Sequence, residues 1–226
     1  MSRNVIACST KWFLEAEKSV EFQKHDYIFI TDKDELTFDH LIGIRPRYIF
    51  FPHWSWLVPP KITESFECVC FHSTPLPYGR GGSPIQNMIE RGHKDTMLTA
   101  FRMTAGLDDG PIYYQRSLSL AGSADEIFKR LSALIQEMIP EIIETSPQPV
   151  AQKGEPYFFK RRTPAQSEVP KSDSLEKVYD HIRMLDADGY PKAFIEYGGL
   201  RLEFDQARLE SDSLAARVVF KRAKCE

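Results

Sequence analysis

Long apolar runs, dense cysteine and a strong charge of either sign are all missing from this chain of 226 residues. No apolar stretch approaches the roughly 20 residues that a membrane-crossing helix needs, so no membrane association is expected. The opening Met1-Ser2-Arg3-Asn4 leads straight into a strand-like segment and lacks the apolar stretch of a secretory leader. Four cysteines in no compact framework are too few to staple a chain of this length. They fit a reducing compartment, and a cytoplasmic protein is expected. Lys and Arg total 29 against 32 Asp and Glu, a net charge of −3. A chain that grips nucleic acid usually presents a basic face, because phosphate contacts dominate its affinity. Here only Lys160-Arg161-Arg162 and Lys221-Arg222-Ala223-Lys224 cluster, and either suits a solvated surface run. Nucleic acid is therefore not the expected partner. There is no internal repeat and no low-complexity tract.

What is present is ordinary globular composition, 42% hydrophobic and 27% charged, enough for one sizeable domain and a small appendage. The first half alternates strands with helices. Asn4-Val5-Ile6-Ala7-Cys8 reads as a strand, and residues 10–24 as a helix with Trp12, Phe13, Ala16, Val20 and Phe22 near its inner face. Tyr27-Ile28-Phe29-Ile30, Tyr48-Ile49-Phe50-Phe51 and residues 67–71 are continuous apolar runs, the pattern of parallel strands buried on both faces. The expected fold is α/β, a doubly wound, Rossmann-like, mostly parallel sheet with ligands at the carboxyl ends of its strands. Ser123-Ala124-Asp125-Glu126 is a capping box, followed at helical spacing by Ile127, Leu131, Leu134, Ile135, Met138, Ile139 and Ile142. Residues 145–172 carry five prolines and read as a connector. Asp173-Ser174-Leu175-Glu176 caps a second helix, with Leu175, Val178, Tyr179, Ile182 and Leu185 on one face. Residues 193–197 and 200–204 flank Gly198-Gly199 as a hairpin, and residues 216–220 form a last strand. The expected division is a catalytic domain over residues 1–150 and a connector with a small α+β C-terminal subdomain over 151–226.

The chemistry concentrates in two segments. The apolar run Cys68-Val69-Cys70-Phe71 ends in His72, and Ser73-Thr74-Pro75-Leu76-Pro77-Tyr78-Gly79-Arg80-Gly81-Gly82-Ser83 follows, too rich in Pro and Gly to continue a strand or a helix. Further on, Gly106-Leu107-Asp108-Asp109-Gly110 forms an acidic turn before Pro111 and the apolar Ile112-Tyr113-Tyr114. A histidine at a strand end and a carboxylate in a glycine turn are the parts of an orientable acid/base pair. Read singly, His72 is a satisfied structural histidine and Asp108 a turn residue. Cys68, Cys70 and His72 share one face of the strand by period-two alternation. A metal site there would lack a fourth ligand, so no metal is expected.

Together these segments resemble the signature of the folate-dependent formyltransferases, which pass a formyl group from 10-formyltetrahydrofolate to an amine. In that family an Asn-x-His strand end runs into a Ser-Leu-Leu-Pro loop, an x-x-Arg/Lys-Gly turn, a Pro and a helix. Here His72, Thr74-Pro75-Leu76-Pro77, Arg80-Gly81 and Pro84-Ile85-Gln86 take those places, and Gly106-Leu107-Asp108-Asp109-Gly110 matches Gly-Leu-Asp-Thr-Gly. The likeness covers about residues 45–115, with weaker matches at Phe159-Lys160-Arg161-Arg162-Thr163-Pro164, at Ile182-Arg183 and at residues 190–194. It departs at Pro75, in place of the first leucine, and at Cys70, in place of the asparagine.

The resemblance implies that His72 stabilises the oxyanion or relays protons and that Asp108 assists it. Cys70 would occupy the position of a formyl-oxygen donor whose loss typically costs about 2.7–4 kcal/mol, and a thiol is a weak donor. Trp54, Ser55, Trp56, Leu57 and Val58, with Leu107 and Asp108, would line the folate pocket; read without the family, that aromatic loop caps the core. Thr74, Pro75, Leu76, Arg80, Gly81, Gly82 and Arg102 would meet the acceptor. The tail looks cut down, too short for the full barrel of the tRNA enzymes. The expected acceptor is accordingly a nucleotide-linked amino sugar, with methionyl-tRNA or a non-catalytic folate- or nucleotide-binding role as alternatives. Edge strands in the tail suit pairing of two copies, a homodimer.

Overall fold

The computed structural model describes residues 3–10, 13, 22–172 and 174–222. In chain order the strands and helices are β1 (Asn4–Ala7), β2 (Tyr27–Ile30), α1 (Phe38–Ile44), β3 (Ile49–Phe51), α2 (Pro60–Ser65), β4 (Cys68–His72), β5 (Tyr78–Gly81), α3 (Pro84–Glu90), β6 (Asp95–Arg102), β7 (Ile112–Ser119), α4 (Ala124–Thr145), β8 (Tyr157–Phe159), α5 (Leu175–Arg183), β9 (Ala193–Tyr197), β10 (Leu200–Leu209) and β11 (Leu214–Arg222). The chain divides into two compact units, one of residues 1–81, 96–118 and 128–158, the other of residues 82–95, 119–127 and 159–226.

The first unit is built on a six-stranded sheet of order β2-β1-β3-β4-β6-β7. β1 pairs in parallel with β2 and β3, and β3 with β4, while β6 runs antiparallel to β4. The mostly parallel sheet expected from the apolar runs is therefore present, and the runs map onto its strands with shifts of one residue. One face buries Val5, Ala7, Ile30, Ile49, Phe51 and Cys68 against Leu36, Leu41 and Ile62. Each large apolar side chain so enclosed contributes about 1.5–3 kcal/mol. Local chemistry sets the helix ends: Thr37 accepts from the His40 N–H at 3.2 Å to open α1, and Arg45 closes it in the left-handed region at φ 54°. The expected capping box opens α4, with Ser123 Oγ accepting from the Glu126 N–H at 3.3 Å and the Glu126 carboxylate accepting from the Ser123 N–H at 2.8 Å. Farther along, α4 is tied to β7 by Arg116–Glu141 at 2.7 Å and Tyr114–Thr145 at 2.9 Å.

In the second unit β9, β10 and β11 form an antiparallel sheet, with α5 packed on β10 and α3 against α5. Gly198 and Gly199, at φ 55° and 78°, make the tight hairpin between β9 and β10 where both central residues need positive φ. β10 and β11 run to Leu209 and Leu214–Arg222, longer than the sequence pattern implies, because pairing carries them past the apolar stretches. On one face Arg201–Glu196 (2.7 Å), Lys221–Glu203 (2.5 Å) and Arg217–Asp205 join into ion pairs, and the Arg217 guanidinium holds the Asp205 carboxyl below its usual range. The opposite face of the hairpin leaves Tyr197 and Phe220 exposed.

Two further differences from the sequence reading have physical causes. Residues 78–81 of the Pro/Gly segment form β5 after all, because they find a partner in β8 within the presumed connector. β6 was not expected as a strand; its buried Thr96 and Thr99 break the apolar run, and their hydroxyls are satisfied by backbone carbonyls of the loop after β4. Pro140 lies inside α4, which continues through it. Of the helix expected over residues 10–24, Phe13 is helical and buried and Phe22–Lys24 is a 3-10 turn, while Trp12, Ala16 and Val20 lie outside the described residues. Asp173, expected in the second cap, also lies outside them; Ser174 caps α5 by accepting from the Lys177 N–H at 3.3 Å.

Candidate active site

His72 is the last residue of β4, at the carboxyl end of a central strand, and it is 8% exposed. The loop after β4 folds back so that the Gly79 carbonyl lies 2.8 Å from His72 Nε2 and 3.3 Å from the Thr74 hydroxyl. A carbonyl can only accept, so Nε2 carries the hydrogen and Nδ1 is the nitrogen left for other work. Asp108 Oδ2 stands 3.7 Å from Nδ1, beyond a hydrogen bond and within ion-pair range. The same oxygen accepts from the Gly81 N–H at 2.8 Å. Two residues of β5 thus hold both members, Gly79 the imidazole and Gly81 the carboxylate.

Asp108 reaches this place by an unusual path. Across β4 and β6, Thr99 is opposite His72 and Arg102 is opposite Val69, so β6 passes the histidine and ends three residues beyond it, toward the amino end of β4. The segment after it doubles back along β4. Asp108 sits at φ 50°, a left-handed conformation that a non-glycine residue holds only when its surroundings fix it. Gly110 has no room for a side chain: a Cβ there would come within 1.7 Å of the Arg102 carbonyl oxygen. The fixing comes in large part from Gln152, which sequence reasoning missed. Its Nε2 donates at 2.8 Å to the carbonyls of both Asp108 and Gly110, and its Oε1 accepts from Arg80 at 2.7 and 3.2 Å.

The other candidates fall into three groups. Cys70 lies two residues before His72; burial first, and the nearby Asp108 second, push its thiol up to about 12, so it is neutral and not a nucleophile at physiological pH. Burial likewise pushes Cys68 up to about 12. In the loop after β3, Trp54 and Val58 pack against the same apolar cluster that Cys70 and Met103 border. Trp54 Nε1 is buried with no hydrogen-bond partner among the described residues. Ser55 Oγ lies 3.4 Å from Ser9 Oγ, Trp56 and Leu107 are largely exposed, and Leu57 is 98% exposed. The loop after β3 and the acidic turn therefore offer apolar surface at Trp56, Leu57 and Leu107, which suits a flat ligand.

The residues expected to meet the acceptor are used differently. Thr74 and Leu76 are buried, with the Thr74 hydroxyl committed to Gly79 and its carbonyl accepting from Thr99 at 2.7 Å, so they shape the loop. Pro75 is half-buried beside them. Gly81 gives its N–H to Asp108, and Arg80 is engaged with Gln152. Gly82 leaves space for Arg161, whose Cβ would be 2.5 Å from an added Cβ. Arg102 requires correction. The register puts it roughly 10 Å down the strand from His72, its guanidinium is paired with Glu67 at 3.0 Å, and it lines a separate cavity of about 280 Å³ with Arg47 and Tyr48.

This geometry has relatives. Residues 21–143 match the model of the family described as formyl transferase, and residues 164–221 that of the methionyl-tRNA formyltransferase C-terminal domain. The chain belongs to the formyltransferase family. Over 99% of its length it is 46% identical to a solved structure titled methionyl-tRNA formyltransferase from Clostridium thermocellum, all of which it covers, with a TM-score of 0.94. It is 28% identical over 194 residues, 80% of this chain, to the methionyl-tRNA formyltransferase of Bacillus thuringiensis subsp. konkukian, and the match spans 60% of that protein's length. At 16% identity it shares the fold of a Shewanella sugar N-formyltransferase, with a TM-score of 0.70 over 91% of this chain and 97% of the other. Among the described residues no helix is long and apolar enough to cross a membrane.

Proposed function

We propose that the protein transfers a formyl group from 10-formyltetrahydrofolate to a primary amine, and that the amine belongs to a nucleotide-linked amino sugar. The observation that carries the first part is the His72–Asp108 pair, held at 3.7 Å by the carbonyl of Gly79 and the N–H of Gly81 at the end of a central parallel strand. In the reaction the amine nitrogen bonds to the formyl carbon, the carbon–N10 bond breaks, and one proton passes from the amine to N10. His72 Nδ1 is placed to carry that proton, because a proton arriving there meets the Asp108 carboxylate at ion-pair distance. The resulting imidazolium is also the charge available to an oxyanion on the formyl oxygen, since the neutral Cys70 thiol is a poor donor. Trp54, Trp56, Leu57 and Val58, with Leu107, are the residues that would enclose the folate ring.

For the acceptor, the C-terminal sheet supports a small molecule. Arg201, Arg217 and Lys221 in that sheet and Lys192 just before it are each paired with a carboxylate, which lowers the positive charge available to a phosphate backbone. Beside the site, Tyr78 and Tyr157 stack at 5.2 Å between ring centroids, and Tyr157 is 47% exposed, a flat surface suited to a base. The second reading, methionyl-tRNA as acceptor, draws on the relative that is 46% identical and so titled. Release of tetrahydrofolate with a panel of nucleotide-linked amino sugars, beside charged initiator tRNA, separates the two. Turnover with a sugar supports the proposal. Turnover only with tRNA, weakening steeply with salt, replaces its second part, and silence with every acceptor removes the first.

A further inference from the structure

We infer that Gln152 is a positioning residue for the reaction, acting on the His72–Asp108 pair through the backbone of the acidic turn. Its side chain holds the turn's own two carbonyls and joins them to Arg80 of β5 at once. Nε2 donates to Asp108 O and Gly110 O, both at 2.8 Å, and Oε1 accepts the Arg80 Nε and Nη2 hydrogens at 3.2 and 2.7 Å. An amide has two donor hydrogens and an acceptor oxygen with two lone pairs, so its capacity is used in full. Aspartate or glutamate cannot make the first pair of bonds, and lysine or arginine cannot make the second.

The clamp matters because of what it holds. Asp108 occupies the left-handed region at φ 50°, and its carboxylate is otherwise located by one bond, from the Gly81 N–H. Fixing the carbonyls of Asp108 and Gly110 fixes the 108–109 and 110–111 peptide planes, which bracket Asp109 and Gly110, and thereby the direction of the Asp108 side chain. Arg80 adjoins Gly79 and Gly81, the residues that hold His72 and Asp108, so the acceptor end of the amide steadies the opposite side of the same pair. Misplacing a reacting group by about 1 Å can cost about 100-fold in rate. Gln152 touches neither member's side chain; it sets the distance between them.

The discriminating variant is Gln152→Glu. A carboxylate keeps and strengthens the bond to Arg80 while removing both donors, so it opens the clamp on the acidic turn alone. Gln152→Ala removes both ends. In the intact chain we expect amide hydrogen exchange at Gly81, whose N–H the Asp108 carboxylate accepts, to speed up at least about 10-fold in both variants, with little change in the central strands. The kinetic half rests on the formyl-transfer reading: kcat should fall at least about 10-fold in Q152E and Q152A while KM for 10-formyltetrahydrofolate stays within about two-fold. Exchange unchanged in Q152E overturns the clamp. Faster exchange with an undiminished kcat overturns its part in the reaction. If Q152A does not fold, Q152E, which retains the Arg80 link, decides the matter. If the wild-type protein turns over no acceptor, the formyl-transfer reading fails, and the exchange measurement still decides whether Gln152 orders the turn.

Discussion

β3 and β4 are neighbouring parallel strands with a histidine at the carboxyl end of each, His53 just after β3 and His72 closing β4, but their surroundings differ. His72 meets a backbone carbonyl on one ring nitrogen and a carboxylate on the other. His53 stands at φ 55° with its Nε2 buried and its ring edge-on to Phe128 at 6.0 Å, and burial pulls its pKa down to about 4. One loop arranges polar partners around an imidazole so that a proton has somewhere to go. The other keeps its imidazole neutral and offers the apolar Trp56 and Leu57 to solvent. Position at a strand end does not make a histidine functional; its partners do.

That contrast can be broken most severely at the carboxylate. Asp108→Asn tolerates the left-handed backbone and should lower kcat by about 100-fold with the fold intact; an unchanged kcat in a steady-state assay would take Asp108 out of the reaction. A smaller effect is expected from the apolar side of the comparison. Leu57→Asp should raise KM for 10-formyltetrahydrofolate about 10-fold and leave kcat within about two-fold, and the opposite split would move folate away from this loop.

His53 predicts a stability effect instead. Its folded pKa, about 4, lies below the ordinary 6.5, so its contribution is complete above pH 6.5 and is lost as pH falls toward 4, at most about 3 kcal/mol. His53→Asn should flatten the decline in urea midpoint between pH 6.5 and 4; an equally steep decline would assign the acid sensitivity elsewhere. The smallest effect belongs to Arg102→Ala, which should leave kcat and KM for both substrates within about two-fold, because Arg102 is paired with Glu67 at the far end of β4. A loss of acceptor affinity would contradict that placement.

How far the sequence could be read follows from how local each feature is. The parallel strands stood out because burial on both faces demands unbroken apolar runs such as Ile49–Phe51. The motifs around His72 and Asp108 were legible because Gly and Pro mark tight turns wherever they occur. β5 was not, since Tyr78–Gly81 becomes a strand only on pairing with β8, far along the chain. Arg102 was expected to meet the acceptor and lies only six positions before Asp108, yet the antiparallel register of β6 carries it away from His72, a placement only the pairing shows. Gln152 carried no local signal at all. Nothing in the connector distinguishes it from Gln148 or Gln166, and its use is set by carbonyls more than 40 residues away.

The central claim is that His72 Nδ1 carries the proton in formyl transfer, and one comparison tests it most directly. Wild-type protein and His72→Asn are assayed for tetrahydrofolate release with the acceptor that the wild type accepts, while folate binding is followed by titration. The account predicts a kcat loss of about 100-fold or more in the variant, with folate affinity unchanged. A variant that binds folate and releases tetrahydrofolate at the wild-type rate would contradict it.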